Sequence, residues 1–229
     1  GSIPVELAEV VRTLNGMLAR LEDSFRRLSD FSSDLAHELR TPVSNLLTQT
    51  QVTLSKARTL EEYQDVLASN AEEFERLSRT IADMLFLAKA DNNLLIPLRE
   101  EVDLRAEVSS LLEFYEAYAD EKQLQLSCSG EASIAGDRLM LRRAIGNLLS
   151  NAVRHTPTFG RISIELMNTT VGETVVSVEN TGKTIAPEHL PRLFDRFYRA
   201  DASRQHYGEG SGLGLAITRS IVQAHGGEV

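Results

Sequence analysis

Apolar residues return every seven positions through the first part of this chain, and at nearly every second position in several later segments. Leu7, Leu14, Leu21, Leu28 and Leu35 keep a strict spacing, Val10, Met17 and Phe31 fill the intermediate positions, and polar Ser24 interrupts the series. A period of 3.5 places these residues on one stripe of a helix, which the helix cannot bury by itself. A coiled-coil seam with a partner helix is therefore predicted. Leu60, Leu67, Phe74, Ile81 and Ala88, with Tyr63, Leu77 and Met84 between them, predict a second long helix. Thr59-Leu60-Glu61-Glu62 has the form of a capping box, with Thr59 as N-cap and Glu62 reaching back, and Ser55–Thr59 is read as the turn. Two antiparallel helices make a hairpin whose apolar faces are too large for one copy to cover. Two hairpins close a four-helix bundle, so a homodimer is expected.

Asp91-Asn92-Asn93 and Pro97 break this pattern, and a linker is placed at 93–98. Beyond it, helices are predicted over Asp103–Glu121, Arg138–His155, Pro187–Phe194 and Leu213–His225. Strands are predicted over Leu124–Cys128, Ala132–Ala135, Gly160–Met167 and Thr174–Asn180. Helices with a largely antiparallel sheet imply an α+β sandwich of two layers.

Composition narrows the function. The 229 residues suffice for one large or two small domains, and 42% hydrophobic with 25% charged residues is ordinary for a folded chain. A net charge of −9 and a pI near 5.1 argue against nucleic acid as a partner. The single cysteine, Cys128, cannot close an internal disulfide, which fits a reducing compartment, and it reads as a small buried residue. The five histidines (37, 155, 189, 206 and 225) show no metal-ligand spacing. No run approaches the roughly 20 apolar residues of a membrane helix, and no signal peptide is present. Gly1-Ser2 reads as a cloning remnant, so the natural chain is expected to begin upstream.

Three segments carry candidate chemistry. His37-Glu38-Leu39-Arg40-Thr41-Pro42 sets an imidazole, a carboxylate and a hydroxyl in an otherwise helical stretch. Glu38 is close enough to polarise the imidazole or take its ring proton, and Thr41 lies one turn on, on the same face. Pro42 has no N–H for the Glu38 carbonyl, so a bend is expected there. His37 falls two residues past Leu35, on the outward side of the seam, where another domain can reach it. In Arg142–His155, Asn147 and Asn151 lie four apart on one helical face opposite an apolar one. Paired amide oxygens suit Mg²⁺, and Arg154 and His155 at the helix end can reach phosphate and base. In Gly208–Leu215, four alternating glycines precede a helix, letting backbone amides approach phosphate at a helix N-terminus. This is neither a Walker loop nor a dinucleotide fingerprint, and the stretch through Tyr207 is read as a mobile lid.

With these elements in order, the chain strongly resembles the sensor histidine kinases of two-component systems. His37–Pro42 matches the phosphoacceptor box, Asn147–His155 the N-box, Phe194-Asp195-Arg196-Phe197-Tyr198 the F-box and Gly210–Leu215 the second glycine box. The run Ile185–Arg199 is similar to the heavy-metal (copper/silver) branch. The resemblance implies the end of a HAMP signalling helix over 1–30 and a dimerisation and phosphotransfer domain over 31–92. After the linker it implies a catalytic ATP-binding domain of the GHKL type over 99–229, C-terminally incomplete because the chain stops before the family's two closing strands.

It also implies ATP-dependent phosphorylation of His37 and transfer to a response regulator, with Glu38 and Thr41 assisting and a possible phosphatase activity. ATP contacts would fall on Asn147, Asn151, Arg154, His155, Asn180, Gly182, Ile185 and Arg199, and on Gly210, Gly212, Leu213, Gly214 and Leu215. Mg²⁺ would sit on Asn151. The parent would be anchored in the membrane upstream, with this portion on the cytoplasmic side and the stimulus-sensing site elsewhere. One box departs from the pattern: Asn180 stands for the usual adenine-binding aspartate and Thr184 for a glycine, while His155 replaces a frequent tyrosine. Asn180 still offers a carbonyl acceptor, though a neutral one. A dimeric signalling scaffold with weakened catalysis is the alternative. An ATPase of the chaperone, gyrase and mismatch-repair kind shares the asparagine and glycine boxes but has no use for an outward His37.

The seam predicts a mass by light scattering of twice 25.4 kDa that persists on dilution. A monomer across the concentration series would contradict it.

Overall fold

The computed structural model describes residues 5–170, 172–200 and 211–229. These fall into two compact units that divide between Met84 and Leu85. Among the described residues no helix is long and apolar enough to cross a membrane.

The first unit holds helix α1 (Val5–Leu54) and most of helix α2 (Leu60–Asp91). The capping box forms as expected. The Thr59 amide donates to Glu62 Oε2 at 2.8 Å, and the Glu62 amide donates to Thr59 Oγ1 at 3.2 Å. That backbone hydrogen bond holds the Glu62 carboxyl below its ordinary range. Helix α1 runs on through Pro42, which is buried along with Leu46 and Thr53. On α2 the two apolar series separate. Met84 is buried and Tyr63 and Leu77 are half-buried, whereas Leu60, Leu67, Phe74 and Ile81 stay exposed. Leu14, Met17 and Leu21 on α1 are exposed too, while the side chains of Leu7, Val10, Ser24 and Leu28 lie outside the described residues. Each such leucine leaves about 2 kcal/mol of burial unrealised in a single chain.

Helix α2 ends at an asparagine in left-handed backbone. Asn93 has φ 54, and the amides of Asn93 and Leu94 donate to the carbonyls of Ala90 and Lys89. This satisfies two of the last turn's carbonyls. The last two turns of α2, from Leu85, pack with the second unit.

The second unit runs β1 (Glu100–Asp103), α3 (Leu104–Lys122), β2 (Gln125–Gly130), β3 (Ser133–Gly136), α4 (Arg138–His155), β4 (Arg161–Asn168), β5 (Thr174–Asn180) and α5 (Gly214–Ala224). Strands β1 and β3 pair antiparallel, and a three-stranded sheet has the order β2-β4-β5. Helices α3 and α4 lay Val108, Leu111, Ile145, Leu149 and Val153 against Ile162, Ile164 and Leu166 of β4. The α+β architecture expected from the pattern is present. Asp103 and Asp137 cap α3 and α4, accepting from the amides of Ala106 and Met140.

Three local differences have physical causes. Strand β2 runs parallel to β4, because β3 and α4 intervene as a crossover long enough to reverse the chain twice. Strand β1 is too polar to be read from its residues: only Val102 of Glu-Glu-Val-Asp is buried, opposite Ile134 of β3. The helix expected over Pro187–Phe194 shrinks to a single 3-10 turn at Leu190–Arg192. Pro187 and Pro191 remove amide donors and disfavour helical backbone before them, and exposed Leu190 offers no burial in return.

Glu107 on α3 is buried and ion-paired to two arginines of α4, Arg138 through Nε and Arg142 through Nη1, with Arg142 also donating to Ser110 Oγ at 3.2 Å. Burial opposes its charge, but the bonds from Arg142 and Arg138 prevail and hold the carboxyl below the usual carboxylate range. Glu107→Gln should cost about 2 kcal/mol of unfolding free energy at neutral pH, the scale of charge-assisted bonds lost at a buried site. The folded carboxyl titrates below the ordinary value of 4.5, so this contribution is complete above that value and is lost as the pH falls through the folded one. Urea melts of both chains over an acid series check this. A difference that fails to shrink on acidification would contradict it.

Candidate active site

His37 and Thr41 are both exposed on one flank of α1, a turn apart, and Glu38 between them is half-buried. Buried Pro42 explains the division. It anchors the inner side of the helix at the next turn, so the residues one turn before and beside it on the outer flank remain in water. An exposed imidazole next to a carboxylate can act as a nucleophile toward a group brought from outside the helix pair.

In the second unit, α4 faces two environments. Ala144, Ile145, Leu149, Ala152 and Val153 are buried, while Asn147 and Asn151 on another face are half-buried. Asn147 Nδ2 donates to the Gly214 carbonyl at 3.0 Å, joining α4 to the glycine loop at the start of α5. Thr218 Oγ1 donates to the carbonyls of Gly214 and Ala144, and is itself buried. Asn151 makes no side-chain hydrogen bond among the described residues. With no partner among the described residues, this half-buried amide is available to a ligand. Its carbonyl oxygen is a donor type suited to Mg²⁺. Arg154 and His155 are exposed at the helix end.

The loop after β5 closes against that helix end. A Cβ at Gly182 would lie 2.8 Å from the His155 carbonyl oxygen, so a side chain there would push the loop from α4. Asn180 turns its Nδ2 to the Thr181 carbonyl at 3.2 Å, leaving Oδ1 as an acceptor of the kind an exocyclic amine needs. Ile185 is exposed beyond it.

The glycine loop is held from the other side by the F-box. Gly212 has φ +70, and a Cβ on it would sit 2.9 Å from Phe197 Cα, whose amide donates to the Gly212 carbonyl at 3.0 Å. Phe197 itself has φ 59. Two left-handed residues therefore face one another, and only glycine admits the approach. Leu213 is fully buried, so its side chain anchors the loop and its backbone alone remains for a ligand, whereas Leu215 is half-buried. Arg199 is exposed. Gly210 and the stretch through Tyr207 read as a lid lie outside the described residues.

The structure thus brings Asn147, Asn151, Asn180, Gly182, Gly212 and Gly214 onto or beside one helix, α4. Several residues that organise it carry no sequence signal of their own. Arg196 of the F-box pairs with Asp91 at 2.5 Å, and Arg143 stacks over Phe86 at 4.4 Å, tying the last turns of α2 to this unit. His189 Nδ1 contacts Tyr198 Oη at 2.7 Å, and Arg192 stacks on the Tyr198 ring. Such pairs join positions far apart in sequence, and only the F-box motif hints at one partner. Cys128 of β2 is half-buried, with burial pushing its thiol up, away from reactive thiolate character. Among the described residues no cluster of three or more His, Cys, Asp or Glu side chains could hold a metal.

The two halves match known families separately. Residues 27–93 match the His Kinase A (phospho-acceptor) domain, and residues 136–229 match the Histidine kinase-, DNA gyrase B-, and HSP90-like ATPase family. Sensor histidine kinase CusS of Escherichia coli K12 is 54% identical over 230 residues, covering 100% of this chain and 48% of that protein. Sensor protein CopS of Pseudomonas syringae pv. tomato is 49% identical over 203 residues, covering 89% of this chain and 42% of that one. The chain spans about half the length of the curated relatives it matches. Among solved structures, the histidine kinase AdeS of Acinetobacter baumannii is similar with a TM-score of 0.67 at 26% identity, covering 82% of this chain and 86% of that one. Full-length ShkA, solved in complex with AMPPNP, gives a TM-score of 0.62 at 26% identity, covering 86% of this chain and 41% of that one. A phospho-acceptor domain followed by an ATPase domain, in a chain alike over nearly its whole length to CusS and CopS, places it: the chain belongs to the sensor histidine kinases, in the branch of CusS and CopS.

Proposed function

We propose that the chain is the phosphotransfer and ATP-binding portion of a metal-responsive histidine kinase, autophosphorylating His37 and passing the phosphoryl group to an aspartate of a response regulator. The exposure of His37 beside Glu38, on a chain whose second half is an ATPase domain, carries this conclusion. A neutral His37 ring nitrogen attacks the γ-phosphorus of ATP, the bond to the β-γ bridging oxygen breaks, and the proton on the other ring nitrogen passes to Glu38. Thr41, on the same exposed flank, orients water for the reverse hydrolysis of the phosphorylated regulator.

Asn151 would hold Mg²⁺ together with phosphate oxygens and water, since its side chain has no protein partner among the described residues. When bound, the ion neutralises charge on the phosphates. Asn147 keeps the glycine loop against α4, and Gly212 and Gly214 present backbone near the phosphates. Arg154 and Arg199 supply positive charge at the rim, and Asn180 accepts from the adenine amino group. His155, Gly182, Ile185 and Leu215 bound the base, and Gly210 is proposed as a further contact from its place in the glycine motif. The nearby domain limits proposed are 31–92 for phosphotransfer and 99–229 for ATP binding.

The exposed heptad stripes on α1 and α2 support a homodimer closed as a four-helix bundle. Copper or silver as the stimulus follows from the branch, with sensing placed outside these residues. The relatives' sensor character supports a membrane-anchored parent with this portion in the cytoplasm.

His37→Gln should abolish incorporation of label from γ-labelled ATP, and Asn151→Ala should reduce it by about a hundredfold while His37 stays intact, a loss of roughly 3 kcal/mol in transition-state stabilisation. Label retained in His37→Gln would remove this residue as the acceptor. Mixing the two variants restores label if each chain of a dimer can serve the other. Absence of label in the wild type, with a nucleotide analogue giving no heat, would favour the scaffold instead.

A further inference from the structure

We propose that His225 is a positioning residue for nucleotide binding, a neutral imidazole that staples the end of α5 to the start of α4. It rests on the ATP-binding role argued above. Neither its spacing nor any of the four boxes singles it out.

Both ring nitrogens are committed. Nδ1 lies 2.8 Å from the Ile221 carbonyl oxygen, which can only accept, so Nδ1 carries the proton. Nε2 lies 3.0 Å from the Asp137 amide, which can only donate, so Nε2 carries the lone pair. The ring is thereby fixed as one neutral tautomer. A second proton would set N–H against N–H. Space is also reserved for the ring: a Cβ on buried Gly136 would come within 2.8 Å of His225 Cδ2. The residue it grips is itself a node. Asp137 caps α4 through the Met140 amide at 3.0 Å and takes the Leu98 amide of the linker at 3.2 Å.

The staple is the far end of an ordered set of ties between two antiparallel helices. From one end to the other these join Asp137 to His225, Ala144 to Thr218 and Asn147 to Gly214. Seven residues separate Asp137 from Ala144 and seven separate Thr218 from His225, so the ties keep a common register. A helix advances about 1.5 Å per residue, so slippage by even one residue would break the 3.0 Å bond of Asn147 to Gly214. Asn147 and Thr218 tie the register near the glycine loop. His225 fixes it at the opposite end, at the first residue before α4.

Two measurements on the full chain test this. In a long-range ¹H–¹⁵N spectrum of histidine-labelled protein, assigned by the signal lost in His225→Phe, His225 should show Nδ1 protonated and Nε2 bare at neutral pH. The other tautomer, or a doubly protonated ring, overturns the staple. In calorimetric titration with Mg²⁺ and a non-hydrolysable ATP analogue, His225→Phe keeps the ring's bulk but loses both bonds. It should weaken binding at least about fivefold, as the loss of one or two net hydrogen bonds implies, with helix content unchanged. Thr169→Ala, which loses a bond to the Glu173 amide in the β4–β5 connection, should leave affinity within about twofold and serves as the purely structural control. Unchanged affinity in a folded His225→Phe, or an equal loss in Thr169→Ala, overturns the positioning role. Should His225→Phe fail to fold, the wild-type spectrum together with Gly136→Ala, expected to displace the ring and weaken the analogue, decides. A wild type that takes no nucleotide defeats the ATP assignment, while the spectrum still judges the staple by itself.

Discussion

Helix α4 must bury one face and offer another, and the second unit is arranged around that requirement. Leu149 is entirely out of water on one side, packed toward Ile162 and Ile164, while the Asn147 and Asn151 amides lie half-buried on another. Asparagine is a poor interior helix former, so two of them cost local helix stability. The helix forms because packing of its apolar face far outweighs that cost, at about 2 kcal/mol for each fully buried leucine or isoleucine. Caps and ion pairs then set where it lies. Asp137 starts it, and Arg138 and Arg142 grip Glu107 of α3.

Once α4 is placed, the glycine loop follows from it. Gly214 is fixed by Asn147, Leu213 is drawn into the core, and Gly212 is left no conformation but the left-handed one that meets Phe197. The F-box and the loop are thus one piece of structure built from two separate stretches of chain. The loop after β5 is held by contact with the His155 carbonyl at the other end of the same helix. A nucleotide bound to α4 would touch elements whose positions all derive from that helix, which is how a site of exposed loops can be preorganised.

The first unit obeys a different constraint. Its helices bury one seam within the hairpin, through Pro42, Leu46, Thr53 and Met84, and leave the Leu60 series in water. A second apolar stripe left in water is one that the proposed four-helix bundle would cover. The same geometry keeps His37 and Thr41 outward, because the inner face is taken by Pro42 one turn on.

Much of this was legible in the residues alone because it depends on local chemistry. The heptads, the Thr59–Glu62 box, helix α4 and strand β5 rest on periodicity and capping, which act within a few residues. The His37–Pro42 box, the asparagines and the glycines stood out because their residue types and spacing suit phosphoryl chemistry. Strand β1 and the parallel pairing of β2 with β4 were not, since they depend on partners elsewhere in the chain. The collapse of Pro187–Phe194 to one turn shows propensity losing where no burial supports it. Glu107 between two arginines, Phe86 under Arg143, and His225 against Asp137 were likewise invisible. The sequence by itself singled out the candidate side chains for nucleotide binding and phosphoryl acceptance. Only the tertiary structure decided which of them meet, because packing, and not spacing, brings residues far apart in the chain within bonding distance.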